Sequence, residues 1–522
     1  MSVSLEKRIY SKIPLIIFLA AIGMGLISFI VLYFADNYSL NYYGDAVSHL
    51  FISRKIVDSQ VPGIHQLGTV WLPLPHLMFL PFSLVDELFS SGIAGMIISL
   101  PCHAVASVLI YKIIRNQTGL TYVAMIGGFL YASNPNLIYL GITAMTEAPF
   151  LLFFIAFAYY FQKWNDGFNE FKNNLKHLAF ASFFISLATL CRYEGWFVAL
   201  FFVPFIVLFV IVKRHNIPKY KLATILVSLI AFSGILFWLT WNQYYYDDPL
   251  EFWNSEFYSA ASQSVERSYR DFLYLQPLND ITIYGMAATM ISGPILLSMA
   301  AIGFIFHLKD KNNKERTKLY GFLSLPPLFT LISLYIGIGE MSQWWFNARY
   351  ATFLSPLVII LASFAIAKLV PKIKNRRIFA VILIPIFAFQ LLTPTFGVVT
   401  FLDAESGWSY KQTPYAIKAA EFLKSEYDDG KVMIMTGSSQ THRIMQISEI
   451  HLIQFDEMIE LNLSKPFFKK PWLYDKWIII GLEPGSDSIN AVDYWQKRMN
   501  EIEEHYSLEY ENKYYKIFSL KN

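Results

Sequence analysis

Charged residues are scarce in this sequence. Asp, Glu, Lys and Arg make up 16% of the 522 residues, whereas they make up roughly a quarter of a soluble globular protein. Hydrophobic residues account for 55%, and apolar runs of about 20 residues, enough to span a bilayer, recur through most of the chain. The composition excludes an ordinary soluble enzyme and predicts a polytopic α-helical membrane protein.

Other classes of protein are excluded by what the sequence lacks. Its two cysteines, Cys102 and Cys191, form neither a disulfide framework nor a zinc-binding pair, and we expect both to be buried and inert. The net charge is only +3, and no basic tail indicates nucleic acid. The loop "TGSSQTHR" lacks the glycine pattern of a phosphate-binding loop, which favours an ordinary strand–helix connection.

About eleven apolar runs are candidate membrane spans. They are Ile13–Phe34, Ile93–Tyr111, Tyr122–Leu140, Ala144–Phe161, Leu175–Cys191, Trp196–Val212, Leu222–Trp241, Ile281–Phe306, Leu319–Ile338, Phe353–Val370 and Ile378–Val399. The first is too long for a signal peptide and lacks a small-residue cleavage site, so we expect an uncleaved helix. A cytoplasmic N-terminus places Lys and Arg in every loop on that side, as cytoplasmic loops generally require.

The first outer loop contains two further predicted helices. The proline-rich "WLPLPHLMFLPFSLV" is apolar but too short to cross, which favours a re-entrant or interfacial helix. Apolar residues at helical spacing in "AVSHLFISRKIVDS" predict an amphipathic helix on the outer membrane face.

The character of the sequence changes near residue 402. We therefore predict a transmembrane domain, residues 1–402, and a small extracytoplasmic α/β domain, residues 403–522. "TPYAIKAAEFLKSEY" predicts a helix with Thr413 as its N-cap. "KVMIMTG", "KWIIIG" and "YYKIFSL" predict short buried strands, and "DSINAVDYWQKRMNEIEEHY" predicts a second amphipathic helix.

Ionisable residues gather at the predicted outer ends of the spans, namely Asp45, Glu147, Arg192, Glu194 and Arg349. Such residues are costly near a membrane and usually mark a site or a pathway, although each one alone can be a solvated loop residue. Transfer of a sugar from a lipid phosphate to a hydroxyl uses these residue types. A base takes the hydroxyl proton, and cations hold the departing phosphate as its charge grows.

The sequence resembles the GT-C superfamily of polyprenyl-phosphate-sugar-dependent glycosyltransferases, whose closer branch holds protein O-mannosyltransferases and the aminoarabinose transferase. The resemblance rests on "GDAVSHLFISRKIVDS", "GTVWLPLPHLMFLP", "TEAPFLLFFIAFAYYF" and "NARYATFLSPLVIILA". It implies a GT-C-like helical bundle, with Asp45 as the catalytic base and Glu147 as a second acidic residue of the site. Gly44 and Ala46 flank Asp45, whereas many members have an adjacent acidic pair there.

Further residues are candidates for binding roles. Arg349 is the first candidate for the donor phosphate because its planar fork matches phosphate oxygens, followed by Arg192, Arg54 and Lys55. The candidates for sugar or acceptor are Trp71, His76, Glu194, Trp344, Trp345 and Tyr350, although tryptophans also form interfacial belts. His49 lies one helical turn after Asp45 and could bind a divalent metal ion with it; a histidine hydrogen-bonded at the interface is the competing interpretation.

The expected donor is a polyprenyl- or dolichyl-phosphate-linked hexose such as mannose, used by an inverting enzyme in the plasma membrane. The acceptor is an extracytoplasmic protein, lipid or glycan. A transporter or flippase is the main alternative, but the sequence lacks paired, glycine-broken half-helices. An oligosaccharyltransferase is disfavoured because Phe346, and not Asp, follows Trp344–Trp345.

Overall fold

The computed structural model describes residues 11–166, 171–214, 218–255, 276–310, 314–341, 345–372, 376–408, 412–435, 440–457, 469–482, 495 and 497–521. Contacts divide these residues into two compact units. The first includes the chain up to Ala35, Thr69–Pro75 and Met96–Asp403, and the second includes Asp36–Gly68, His76–Gly95 and the chain from Ala404. This grouping joins early segments to the C-terminal part, whereas the sequence division at residue 402 stays a prediction.

Most of the described chain is helical, as predicted. The α-helices are Ile13–Ala35, Gly44–Lys55, Pro73–Ser83, Asp86–Ser91, Ile93–Thr118, Thr121–Ala132, Pro135–Gly141, Glu147–Asp166, Phe171–Thr189, Tyr193–Arg214, Pro218–Tyr246, Glu251–Asn254, Gln276–Ser292, Pro294–Lys309, Lys314–Tyr335, Ser355–Leu369, Arg376–Phe396, Val399–Trp408, Thr413–Glu426, Gln440–Ile447 and Met499–His505. Shorter 3-10 helices are Ser39–Asn41, Ile64–Leu67, Ala348–Leu354, Val370–Lys372, Leu452–Gln454 and Pro471–Leu473. Helices form at both predicted positions in the first outer loop, as Gly44–Lys55 and Pro73–Ser83. The first is not amphipathic as predicted, because eight of its 12 residues are buried, including Ser48, His49 and Arg54.

Five described helices are long and apolar enough to cross a bilayer: Ile13–Ala35, Ile93–Thr118, Lys221–Tyr246, Ala348–Leu369 and Ala380–Ser406. Leu278–Ser292 and Pro294–Lys309 together form a sixth candidate, bent by 99°. Gly293 lies at the bend with φ +83°, a conformation that glycine adopts at no steric cost. The total of about eleven spans stays a prediction.

The predicted span Tyr122–Leu140 is broken into two helices at Asn134. The Asn134 side chain accepts hydrogen bonds from the backbone N–H groups of Asn136 at 3.0 Å and Leu137 at 3.3 Å. This is an N-cap, which begins a new helix and interrupts the previous one.

A stripe of phenylalanines on helix Glu147–Asp166 lies in the core of the first unit. The stripe consists of Phe150, Phe154, Phe157 and Phe161, with successive ring centroids 5.7, 6.4 and 5.9 Å apart. All four side chains are buried. Edge-to-face contacts link the stripe to Phe202 and Phe322 on two other helices, an arrangement that aromatic rings favour. This packing fixes the helix that begins at Glu147.

Both cysteines are buried, as expected. Elsewhere in the first unit, helices Pro294–Lys309 and Ser355–Leu369 approach each other closely at Gly303. A Cβ atom at Gly303 would clash with the backbone carbonyl oxygen of Leu361. Small residues at such contacts let membrane helices pack backbone against backbone.

The second unit contains a five-stranded sheet. Its strands are β1 Val432–Met435, β2 Phe455–Glu457, β3 Trp477–Gly481, β4 Tyr506–Glu511 and β5 Tyr515–Leu520, in the order β2-β1-β3-β5-β4. β1 pairs in parallel with β2 and β3, whereas β5 is antiparallel to β3 and β4. β1, β3 and β5 are the predicted strands; β2, of three residues, and the exposed β4 gave no periodic signal.

The predicted N-cap role of Thr413 is wrong. Gln412 holds the cap position and Thr413 is the first residue of its helix. Thr413 is buried, and its hydroxyl accepts a hydrogen bond from Gln440 Nε2 at 3.2 Å, so it serves tertiary packing. The predicted second amphipathic helix lies largely outside the described residues, which contain its end as Met499–His505.

Replacing Gly303 with Leu is expected to push the two helices apart and to destabilise the protein by about 1–3 kcal/mol, as overpacking generally does. Thermal unfolding of the detergent-purified chain measures the effect. The matched control is Gly321→Leu, since no atom lies within 4 Å of a Cβ atom at Gly321. Equal losses of stability in the two variants would contradict this account of the contact.

The stability of the folded chain is expected to depend on pH through the carboxyl group of Asp475. Asp475 is only 2% exposed. Burial, with the charge of Asp456, raises its pKa from 3.8 to about 8. The folded chain therefore retains a proton that the unfolded chain releases, and stability falls as pH rises from about 4 to about 8. Asp475→Asn should remove this loss, so its Tm relative to the native chain should climb across that window. The exposed Glu503→Gln control should differ from the native chain by a Tm that does not change with pH. The same pH-independent difference in Asp475→Asn would refute the proton uptake assigned to Asp475.

Candidate functional site

Two arginines and three carboxylates converge within the first unit. Glu147 begins helix Glu147–Asp166, Arg192 and Glu194 lie where helix Tyr193–Arg214 begins, and Arg349 lies in the 3-10 helix Ala348–Leu354. The third carboxylate, Asp403, belongs to helix Val399–Trp408. Four separate elements thus contribute to one charged cluster.

Glu147 lies at the centre of this cluster and is fully buried. Its Oε1 accepts a hydrogen bond from Arg192 Nη1 at 3.0 Å and another from Arg349 Nε at 3.2 Å. The first turn of a helix favours negative charge through the helix dipole. One carboxylate oxygen therefore joins two guanidinium groups from different elements.

Glu194 binds the opposite edge of the Arg192 guanidinium group through two hydrogen bonds. Arg192 Nε donates to Glu194 Oε2 and Arg192 Nη2 donates to Glu194 Oε1, both at 3.1 Å. Two parallel bonds of this kind fix the plane of a guanidinium group. Arg192 Nη1 takes no part in these two bonds. It donates to Glu147 Oε1, as described above, and to the Thr146 hydroxyl at 2.9 Å.

Asp403 holds the turn that carries Arg349. Its carboxylate accepts the backbone N–H of Asn347 at 2.9 Å and that of Arg349 at 3.0 Å, and Arg349 Nη1 lies 3.5 Å away. Asn347 and Trp345 adopt φ values of +61° and +65°, which are uncommon for residues other than glycine. The sequence analysis missed Asp403; the signal was an acid at the end of the last apolar run.

Aromatic rings lie beside the guanidinium groups. The Tyr350 ring centre is 5.2 Å from Arg192 Cζ and 5.1 Å from Arg349 Cζ, within the range of cation–π attraction. Trp345 packs against the buried cluster that includes Met341, and Trp344 lies outside the described residues.

The segment Thr69–Pro75 contacts the turn before helix Tyr193–Arg214. The Tyr193 hydroxyl donates to the Val70 carbonyl oxygen at 2.8 Å, and the Leu74 N–H donates to the Leu190 carbonyl oxygen at 3.0 Å. The half-buried Trp71 lies between these two anchors. The structure therefore brings the Trp71 segment to the turn that precedes Glu194.

Arg54 lies in the second unit and is paired there. Its Nε lies 2.8 Å from Asp58 Oδ2 and its Nη2 lies 2.6 Å from Asp86 Oδ1. Asp58 in turn accepts the backbone N–H groups of Leu452 and Ile453, both at 3.0 Å. Burial opposes ionisation of Asp58, but Arg54 and these N–H groups outweigh it and lower the Asp58 pKa. This buried network ties three segments of the unit together.

Asp45 and Lys55 lie at the two ends of helix Gly44–Lys55. Asp45 is half-buried in the first turn, a position where the helix dipole favours a carboxylate. The Lys55 ammonium lies 5.3 Å from the centre of the Phe51 ring. The roles of Asp45 as base and of Lys55 as phosphate ligand stay predictions.

His49 and His76 form a buried pair, which the sequence did not predict. His49 Nδ1 lies 2.9 Å from His76 Nε2, and the Ser53 hydroxyl contacts the carbonyl oxygens of both residues. Burial and the neighbouring His49 lower the pKa of His76 well below its usual value. Within the described ranges, no three His, Cys, Asp or Glu side chains form a group suited to a metal ion; metal binding by Asp45 and His49 stays a prediction.

Asp403→Asn is expected to destabilise the protein by about 1–3 kcal/mol. An amide oxygen accepts hydrogen bonds but an amide nitrogen does not, so one backbone N–H of the Asn347–Arg349 turn loses its acceptor. Thermal unfolding measures the loss, with the exposed Glu426→Gln as a control for charge removal. A Tm equal to that of the control would show that Asp403 does not hold the turn.

Comparisons with known proteins give the family context. A family model described as dolichyl-phosphate-mannose-protein mannosyltransferase matches residues 75–238. Two structures of ArnT from Cupriavidus metallidurans, in the apo state and bound to undecaprenyl phosphate, have a TM-score of 0.54 and 11% sequence identity to the chain. Each match covers 95% of this chain and 97% of the ArnT chain.

Two further comparisons do not extend this similarity. The S. cerevisiae Pmt1-Pmt2 complex bound to the sugar donor has a TM-score of 0.32 and 15% identity, over 46% of this chain and 35% of that one; this similarity is too low to support an argument. No curated protein matches the chain in sequence. The family model over residues 75–238 and the ArnT-like fold together make this chain similar to membrane glycosyltransferases, as the sequence resemblance to the GT-C superfamily predicts.

Proposed function

We propose that this chain is a glycosyltransferase of the GT-C superfamily and that it uses a polyprenyl- or dolichyl-phosphate-linked sugar as its donor. The observation that carries the proposal is the convergence of Arg192 and Arg349 on one buried anionic oxygen. Guanidinium groups match the geometry of phosphate oxygens, and bonds between charged partners are roughly twice as strong as neutral ones. The ArnT structure bound to undecaprenyl phosphate has the same fold and supports a lipid phosphate.

In the proposed reaction, the Asp45 carboxylate takes the proton of the acceptor hydroxyl as its oxygen attacks the anomeric carbon. The bond from that carbon to the phosphate oxygen breaks on the opposite face, so the sugar inverts its configuration. Arg349 and Arg192 stabilise the charge that grows on the departing phosphate. Their fixed orientation supports this role, because Glu194 and Asp403 hold them before any donor arrives. Arg54 and Lys55 remain second candidates for the phosphate.

An apolar cavity in the first unit supports a lipid-linked donor. It has a volume of about 610 Å³ and is lined by residues such as Met125, Phe129 and Leu391. Its wall also includes Ser133 and Gln390, whose side chains are hydrogen-bonded to each other at 2.6 Å. Isoprenoid chains lack hydrogen-bonding groups, so a wall of this composition suits them.

The proposed sugar is a hexose such as mannose, which the name of the matched family model supports. Glu147 is proposed as the second acidic residue of the catalytic site. The proposed contacts with sugar or acceptor are Trp71, His76, Glu194, Trp344, Trp345 and Tyr350. The proposed location is the plasma membrane, with the N-terminus in the cytoplasm and the C-terminal part outside. The acceptor is accordingly an extracytoplasmic protein, lipid or glycan, and a divalent metal ion at Asp45 and His49 remains part of the proposal.

A transporter or flippase is not favoured. The family model that matches residues 75–238 describes a mannosyltransferase, and 95% of the chain aligns with the fold of ArnT. No described feature independently favours transport.

Replacing Asp45 with Asn is expected to lower the turnover of sugar transfer by a factor of at least about 100, because the amide cannot take the hydroxyl proton. Donor affinity should stay within about twofold, since uncharged asparagine keeps the size of the side chain. Transfer by the purified chain from a prenyl phosphate sugar to an acceptor measures turnover, and direct titration measures donor binding.

The matched control is Glu87→Gln, which removes an exposed carboxylate from the same unit. It should leave turnover unchanged. Near-normal turnover in Asp45→Asn would eliminate Asp45 as the base.

A further inference from the structure

Among the residues that the structure describes, the charged cluster contains one more carboxylate than guanidinium groups. Arg192 and Arg349 are accompanied by Glu147, Glu194 and Asp403, which gives a net charge of −1 when all five are ionised. A phosphate added to this arrangement would lie beside buried carboxylates, and like charges in a buried site repel strongly. Binding of a donor phosphate therefore requires one carboxylate to leave its arginine partners.

The three carboxylates differ in what they hold. Glu194 accepts two hydrogen bonds from Arg192, from Nε and Nη2, and so fixes the plane of its guanidinium group. Asp403 binds mainly backbone N–H groups, at 2.9 and 3.0 Å, with the Arg349 guanidinium more distant at 3.5 Å. Both therefore have positioning roles that a phosphate could not take over.

Of these three carboxylates, Glu147 is the one that bonds to both guanidinium groups. Its Oε1 accepts from Arg192 and from Arg349, as a phosphate oxygen would. Its Oε2 is buried and has no hydrogen-bond partner among the described residues. A buried carboxylate oxygen without a partner is costly, so this carboxylate is less firmly held than those of Glu194 and Asp403.

We propose that the Glu147 carboxylate is the resident anion of this site, and that the phosphate of the donor displaces it from Arg192 and Arg349. The inference rests on the proposed use of a lipid phosphate. In the donor-free enzyme, Glu147 neutralises two guanidinium groups that would otherwise be buried without a counter-charge. The same carboxylate competes with the prenyl phosphate product, which favours its release.

Displacement also explains why the site lies at the start of a helix. The N-terminus of a helix binds anions through its free N–H groups and its dipole. Helix Glu147–Asp166 has 20 residues, and its phenylalanine stripe fixes it in the core. A phosphate that replaces the Glu147 carboxylate would meet the same favourable dipole, while the helix itself need not move.

The test compares the phosphate response of the full-length native chain with that of Glu147→Gln in detergent. Thermal unfolding is recorded against increasing inorganic phosphate and, separately, undecaprenyl phosphate. Without phosphate, Glu147→Gln should unfold at a lower temperature than the native chain. It should bind phosphate about tenfold more tightly, a typical size for coupling between two ligands, and its Tm should rise further as phosphate is added.

The matched control is Asp58→Asn, which removes the carboxylate of another buried Arg–carboxylate pair. It should lower the Tm without strengthening the phosphate response. A stronger response in Asp58→Asn than in Glu147→Gln would place the anion site at Arg54 and overturn the inference. If Glu147→Gln does not fold, Glu147→Asp keeps the charge but shortens its reach, and the inference requires tighter phosphate binding in that variant too.

The outcomes separate this inference from the proposed function. Sugar transfer by the native chain, with equal phosphate binding in the native and Glu147→Gln proteins, overturns the inference and leaves the proposed function intact. A fall in turnover with unchanged phosphate binding would make Glu147 a proton-transfer residue, which also overturns it. The absence of transfer from every prenyl phosphate sugar, with the tighter phosphate binding of Glu147→Gln retained, would overturn the proposed function alone.

Discussion

A guanidinium group inside an apolar helical bundle requires an anion within hydrogen-bonding distance, because removing its charge from water costs several kcal/mol. Two such groups, those of Arg192 and Arg349, lie close enough to share the oxygen of Glu147. Their mutual repulsion is tolerable only while an anion lies between them. The protein supplies that anion from its own chain, and this requirement shapes the arrangement of the surrounding elements.

The surrounding structure is arranged to keep that geometry rigid. The phenylalanine stripe fixes helix Glu147–Asp166, the close contact at Gly303 brings helix Ser355–Leu369 against its neighbour, and Asp403 fixes the turn before it. Preorganised charges of this kind are effective in catalysis because they need little reorientation as charge develops. The apolar core thus fixes the charged cluster indirectly, by holding the ends of the helices in place.

The sequence predicted the site residues whose local pattern is unusual. Glu147, Arg192, Glu194 and Arg349 were recognisable because ionisable residues at the ends of apolar runs are rare and costly. Hydropathy could not reveal Asp403 as their partner, since a carboxylate 54 residues beyond Arg349 gives no periodic signal. The pairing of His49 with His76 was hidden for the same reason. The helix break at Asn134 was missed because an apolar run continues through it, although the Asn-Pro pair was a local signal for a turn.

Backbone atoms help to hold the segment around Trp71 in place. Val70 contributes only its carbonyl oxygen and Leu74 only its N–H, while the Tyr193 hydroxyl is the one side-chain group involved in these two bonds. These two bonds consequently do not depend on the side chains of Val70 and Leu74. Any residue at position 70, and any residue except proline at position 74, can therefore keep this segment attached to the turn before helix Tyr193–Arg214.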